Sequence, residues 1–377
     1  MVNVQFTTIR IMIYNEPIDR EDAVAKASAS MVFAGILFAA CLAPVLSSCG
    51  AAARASRVET QAIGARIRAD FAAVRAAEDA LVASIESVYA DSSLELSVDG
   101  MDVAAGGEFA VFEGGKYYYK TARTGCCYYC SPRGPVTDAM RREIRTMGYC
   151  EGALQKAWNS LPPYLSIVFY GIHEPTAIGM LYPWDDVVSV LPPGLCLMAF
   201  DWYRRGYTSK GSGLWSAQPF ADLTNGWTMD LSKSVRAFGA TKGAAVIGVR
   251  IMKAGELYLG KAATPILLLA SDSTLMGASP SARAAFGLAP LEDAALVKQM
   301  SANIFVPANQ RLNHESRPDG IRSLAARVLA GESGFSQGIA GAEWRVESVR
   351  ISEIGFYLVG LGKIKNSGDM RSSLAPL

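Results

Sequence analysis

Residues 52–90 hold no proline, and their apolar side chains recur every three, four or seven positions: Ile63, Ile67, Phe71, Val74, Leu81, Ile85 and Val88. Alanine fills much of the remainder. This pattern predicts one continuous amphipathic helix. At about 1.5 Å per residue it would run for roughly 50 Å. That length suits a bundle or coiled-coil helix, or a stalk that lies along two stacked domains.

What precedes the helix points to export or anchoring. Residues 31–47 carry no charge, a run short for a membrane span and suited to a signal-peptide core. The next residues, Leu46-Ser47-Ser48-Cys49-Gly50, resemble the bacterial lipoprotein box. In that reading Cys49 is lipidated and residues 1–48 are removed, so that the lipid supplies the membrane attachment. An uncleaved anchor and a buried helix are the alternatives. The first thirty residues hold Arg10, Arg20 and Lys26 against Glu16, Asp19, Glu21 and Asp22, whereas a signal peptide starts positive. Arg54, Arg57, Arg66 and Arg68 follow the apolar run, against the positive-inside rule for an uncleaved anchor.

Composition narrows the function. A formal net charge of +1 gives no electrostatic basis for binding nucleic acid. Only two histidines are present, His173 and His314, which leaves metal-hydrolase and Ser-His-Asp chemistry without its usual ligand or base. His173 is expected to be a loop residue. Cys126, Cys127, Cys130 and Cys150 form one cluster. Its spacing lacks the paired CxxC units of a structural zinc site. In an oxidising compartment Cys150 is expected to bond one of the other three, with free thiols and a metal as alternatives. The expectation is no metal, no cofactor and no catalytic residue.

From about residue 92 the pattern changes to short alternating strands and turns: LELSV, EFAVF and GGKYYYK. A helix is expected from Val136 to Trp158, capped at Thr137 or Asp138. YLSIVFYG, LSKSVRAF and AAVIGVRI follow as strands. After Lys253, TPILLLAS, LMGAS, EWRVESVRI and GFYLVGLGK predict a smaller strand unit, with helices near 290–302 and in SLAARVLAGESGF. The fold class is α/β of the α+β kind, with antiparallel sheets.

The order of these segments resembles the double-Cache sensor family. The most specific stretch runs from Asp201-Trp202-Tyr203-Arg204-Arg205-Gly206 through Leu214-Trp215 and Gln218-Pro219-Phe220-Ala221-Asp222 to Asn225-Gly226. Ile167 to Gly171, Leu181-Tyr182-Pro183-Trp184, Gly243 to Val249, Gly331 to Phe335 and Gly355-Phe356-Tyr357 add to it. The resemblance implies a stalk helix over 52–90, then two PAS-like domains: a distal, ligand-binding one over 91–253 and a proximal one over 254–363, with a tail over 364–377. It further implies an extracytoplasmic sensor held on a membrane, with Trp202, Tyr203, Asp222, Phe200 and Tyr182 at the ligand. The amino-acid-binding branch carries an arginine where this chain has Phe200 and a tyrosine where it has Leu195. A ligand carboxylate loses its anchor, and the expected ligand is an amine or a small polar or apolar metabolite. Since the chain carries no signalling module, the expected partner is a separate transmembrane signalling protein, with a homodimer through the long helix as a further expectation. A structural or adhesive lipoprotein with a closed pocket is the alternative.

Overall fold

The computed structural model describes residues 20–112, 117–131, 134–174, 177–187, 194–216, 218–222, 226–288 and 308–364. It divides into two compact units, Met1–Ala51 and Ala52–Leu377. The first contributes the beginning of helix α1 (Arg20–Ala90), whose side chains are described from residue 51. Cys49 and the expected signal segment therefore lie outside the described side chains, as does the helix expected near 290–302. Among the described residues no helix is long and apolar enough to cross a membrane.

The second unit is built on two antiparallel sheets. The larger contains β1 (Phe109–Phe112), β2 (Tyr117–Lys120), β3 (Cys127–Ser131), β4 (Leu165–Ile172), β5 (Ala177–Tyr182), β6 (Leu214–Trp215), β7 (Phe220–Asp222), β8 (Gly226–Ala237) and β9 (Ala240–Arg250). Their order is β1-β2-β3-β5-β4-β9-β8-β6, with β7 also paired to β8. Helices α2 (Asp138–Gly148) and α3 (Glu151–Asn159) connect β3 to β4, and α4 (Asp201–Tyr207) lies between β5 and β6. The Thr137 side chain caps α2 by accepting from the Met140 amide, satisfying one of the free donors of the first turn. The single helix expected over 136–158 is broken at Tyr149-Cys150.

Helix α5 (Ile251–Leu259) leads into the smaller sheet, so the boundary expected at 253 falls inside a helix. That sheet holds β10 (Ile266–Leu269), β11 (Leu275–Ala278), β12 (Phe335–Ile339), β13 (Ala342–Ile351) and β14 (Phe356–Ile364), in the order β11-β10-β14-β13-β12. Helices α6 (Pro280–Phe286) and α7 (Asp319–Leu329) complete it. Leu267, Leu269, Val359 and Leu361 share a core with Ile321, Leu324 and Val328 of α7.

Helix α1 serves both sheets. Ile67, Phe71, Val74, Leu81 and Ile85 are buried in one core with Tyr170, Leu231 and Ile247 of the larger sheet. Ile351 and Leu358 of the smaller sheet belong to the same core, and nearer the start of the described helix the contact is made by small residues. A methyl group on Gly360 would lie 1.9 Å from Thr60 Oγ1, and one on Gly362 would lie 2.8 Å from Ala53 Cα. Glu59 closes the same end, accepting from the amides of Ala263 and Thr264 and from the Thr264 hydroxyl. These hydrogen bonds hold its carboxyl below its ordinary pKa despite partial burial, which works the other way.

The cysteine cluster differs from expectation. The five described cysteines are free thiols. Cys127–Ser131 is a strand, not a loop insertion, so alternate side chains face opposite ways. Cys126, Cys130 and Cys150 fall in the core beneath α1, whereas Cys127 falls in the core on the other face. Cys127 and Cys150 are thereby separated by the sheet. Burial pushes the thiols of Cys126, Cys127, Cys130 and Cys150 up to about 12, and a thiol without thiolate is a poor nucleophile. In the native protein an alkylating reagent should modify the exposed Cys196 and leave these four until denaturant is added. Peptide mass mapping checks this, and fast labelling of Cys130 or Cys150 would refute the burial.

Candidate functional site

Strand β8 carries the feature around which the site is built. Its apolar residues Trp227, Met229, Leu231 and Val235 face the α1 core. The alternate residues Thr228, Asp230, Ser232 and Ser234 are all buried too, on the opposite face. A polar row under cover has to be bonded, and half of this one holds α4. Ser232 donates to the Trp202 carbonyl at 2.8 Å, and Ser234 donates to the Ser209 carbonyl at 3.0 Å. Gly206 lets α4 come down on the strand, since a side chain there would meet Ser232 Cβ at 2.7 Å.

The remaining half of the row is the candidate site. Asp230 is 4% exposed. Across from it on β9 is Gly248, whose lack of a side chain lets Ser166 and Asp230 close over the strand: a methyl group there would lie 2.1 Å from Ser166 Oγ and 3.0 Å from Asp230 Oδ1. A bulge in β4 between Leu165 and Val168 brings both Ser166 and Ile167 toward Gly248. The hydroxyls of Ser166 and Thr228 are buried and without hydrogen-bond partners. Phe220 pairs with Thr228 and Asp222 with Gly226. Directly opposed residues point to the same face, so half-buried Asp222 joins Asp230 on this side. Burial holds the Asp230 carboxyl well above the ordinary carboxylate range, and the charge of Asp222 pushes it the same way.

The sequence-derived candidates divide. Trp202 and Phe200 stand half-buried over this face, 5.7 Å apart between ring centroids. Trp202 also meets the edge of Phe169 at 5.7 Å. Tyr203 is wholly buried, and its hydroxyl donates to the Gly171 carbonyl at 3.0 Å. It therefore ties α4 to β4 and presents no polar tip to a ligand. Tyr182 is on the wrong face: it packs with the α1 core and sits edge-on to Trp158. Strand alternation separates it from Trp202, because β5 turns Leu181 toward the α4 side and Met180 and Tyr182 away. His173 is the expected loop residue, just past β4; its ring packs on Tyr207 at 4.5 Å and Tyr203 at 6.1 Å, and burial lowers its pKa. Asp230, Ser166 and Thr228 were absent from the sequence reading.

Chemically, the face offers two carboxylates, two unused hydroxyls and an indole. All are acceptors or electron-rich groups suited to a small cation with several N–H donors. Among the described residues no group of three or more His, Cys, Asp or Glu is placed to hold a metal.

No protein-family model matches the chain, and no curated protein matches it. Solved structures do. The ligand-binding domain of the Campylobacter jejuni chemoreceptor Tlp3 in complex with 4-methylisoleucine aligns at TM-score 0.48 and 10% identity, over 87% of this chain and 96% of that one. The same domain with L-norvaline aligns at TM-score 0.47 and 10% identity, over 88% and 95%. The ligand-binding domain of the Pseudomonas fluorescens chemoreceptor CtaA with L-leucine aligns at TM-score 0.38 and 12% identity, over 59% and 79%. The long helix followed by two antiparallel sheets is the α+β arrangement that the sequence pattern led us to expect.

Proposed function

We propose that this chain is an extracytoplasmic small-molecule sensor whose larger sheet binds an organic cation over β8. One observation carries the reading: Asp222 and Asp230 face the same side of the sheet, beside buried hydroxyls that have no partners. Burial of the Asp230 carboxyl disfavours its charged form, and a bound ammonium relieves that cost. Trp202 supplies the apolar wall. In this proposal the chain is held on a membrane through a lipid on Cys49 and signals through a separate membrane protein, α1 being the natural surface for a homodimer. Mass spectrometry showing residues 1–48 still attached would remove the lipid from the proposal.

A second reading has its own support. Beside Tyr203 the face is solid: Phe169 fills the space that side chains on Gly171 and Gly179 would take. This favours a structural lipoprotein with a closed pocket. A thermal-shift screen of the purified chain separates the two, because a ligand of the native state alone raises Tm. Amines should raise it, organic acids should not, and amino acids should act weakly through their ammonium group. No response to any amine at millimolar concentration would favour the closed pocket.

A further inference from the structure

A second buried carboxyl lies on the other side of β8. Glu78 of α1 is 0% exposed, and neither of its oxygens has a hydrogen-bond partner. It presses against Gly213, where a methyl group would stand 1.9 Å from Oε2. One turn earlier, Arg75 donates to the Gly213 carbonyl at 2.8 Å. Gly213 lies in the segment that joins α4 to β6. Ser232 accepts this segment as it accepts α4, donating to the carbonyls of both Leu214 and Trp202. A short path of contacts thus runs from Trp202 through Ser232, Leu214 and Gly213 to α1.

We propose that Glu78 and Gly213 form a proton-sensitive latch between α1 and the segment linking α4 to β6, closed while the Glu78 carboxyl is neutral and released when it ionises. The charged groups around it explain why ionisation is not accommodated in place. On α1, Arg75 is committed to the Gly213 carbonyl and Asp79 to Lys233 at 2.6 Å. From β8, Lys233 is that partner and Asp230 adds negative charge. Burial is the dominant influence on Glu78 and favours the neutral form, with Asp79 and Asp230 on the same side and Lys233 and Arg75 opposing. An ionised Glu78 needs a donor; Lys233 is already paired with the Asp79 carboxylate, which leaves Arg75, whose present partner is a neutral carbonyl. Taking it strips the Gly213 carbonyl of its bond and frees the 208–213 segment. The latch goes beyond the ligand reading, since none of its contacts involves a ligand.

The sign follows from linkage. An acid whose folded pKa lies above its unfolded value stabilises the closed state least at high pH, so the latch weakens as pH rises above the ordinary glutamate range. The test is amide hydrogen exchange of the full chain between pH 5 and 9, corrected for intrinsic rate, in peptides covering residues 74–82 and 209–216. In wild type the opening equilibrium should grow with pH, by up to about tenfold per unit. Glu78→Gln should remove most of that growth, leaving the smaller share that belongs to Asp230, and Asp230→Asn should leave most of it. Gly213→Ala should hold both peptides open at every pH. Equal pH dependence in wild type and Glu78→Gln overturns the proposal, as does wild-type protection in Gly213→Ala. Should Glu78→Gln fail to fold, infrared spectroscopy of glutamate-labelled wild type decides. A neutral buried carboxyl band at pH 7 that fades as pH rises supports the latch, and its absence at pH 7 overturns it. No ligand enters either measurement, so a failure here is distinct from a failure of the cation reading.

Discussion

Asp230→Asn should weaken an organic cation by one to two orders of magnitude while raising the stability of the empty protein. The two effects have one origin. Asp230 is buried, with Asp222 as a like-charged neighbour, so the empty site favours its neutral form. A cation binds the ionised form and displaces the proton. Losing a charge-assisted hydrogen bond costs about 1.5–3 kcal/mol, or roughly ten- to a hundredfold in affinity. Wild-type affinity should also climb with pH, by up to about tenfold per unit, until Asp230 is ionised in the empty protein. The asparagine variant should show no such climb. For stability, the folded pKa is raised, so the contribution is complete below the ordinary aspartate range and is lost as pH rises toward the folded value. An asparagine amide does not titrate, so the variant has no such contribution to lose and should melt higher at neutral pH. Calorimetric titration at several pH values, with melting curves alongside, measures both. An amine that binds wild type and the variant equally would show that Asp230 is outside the site.

Gly360→Val should produce the largest loss of stability. The position is where α1 meets β14 most closely: a Cβ would stand 1.9 Å from Thr60 Oγ1 and 3.1 Å from Ser56 Oγ. Thr60 cannot yield. Thr60 is wholly buried and β-branched, and its hydroxyl is bonded to the Ser56 carbonyl at 2.7 Å. Overpacking of this kind costs about 3 kcal/mol, which for a unit of this size lowers Tm by roughly 4 °C. The effect should be strongly non-additive with its neighbour. Gly360→Ala should be damaging alone and partly rescued by Thr60→Ala, since the hydroxyl is what the new carbon meets. A Gly360→Val protein that melts with wild type would mean that α1 does not bear on β14 at this point.

Periodicity made α1 legible because a helix that covers two sheets must repeat its apolar side chains over its whole length. The main strands were legible for the corresponding reason at period two. What escaped the sequence were features decided by neighbours. Asp230 lies in TMDLSKSV, an alternation that ordinarily marks a strand with one solvated face. Only α4, arriving from some thirty residues upstream, buries the polar half. Ser166 reaches the site through a bulge that its own sequence does not announce. Tyr182 follows Met180 by two along β5 and shares its face, and only the packed sheet shows that this face belongs to α1. The spacing of Cys127 and Cys130 suggested a disulfide or a metal because CxxC usually serves bonding or ligation. In an extended strand it sends its two sulfurs to opposite faces.

Burial along β8 is continuous from Trp227 to Ser232, unlike β12, where Phe335 and Ile339 are buried and the residues between them are not. A strand of the second kind has a free side on which sequence can drift. In β8 every substitution within that stretch disturbs either the helix packing or the polar row. The strand therefore has no neutral positions through which a lineage could wander to a new ligand. For the cation site proposed above, changes of specificity would enter through α4 and β7, the segments that lie against β8.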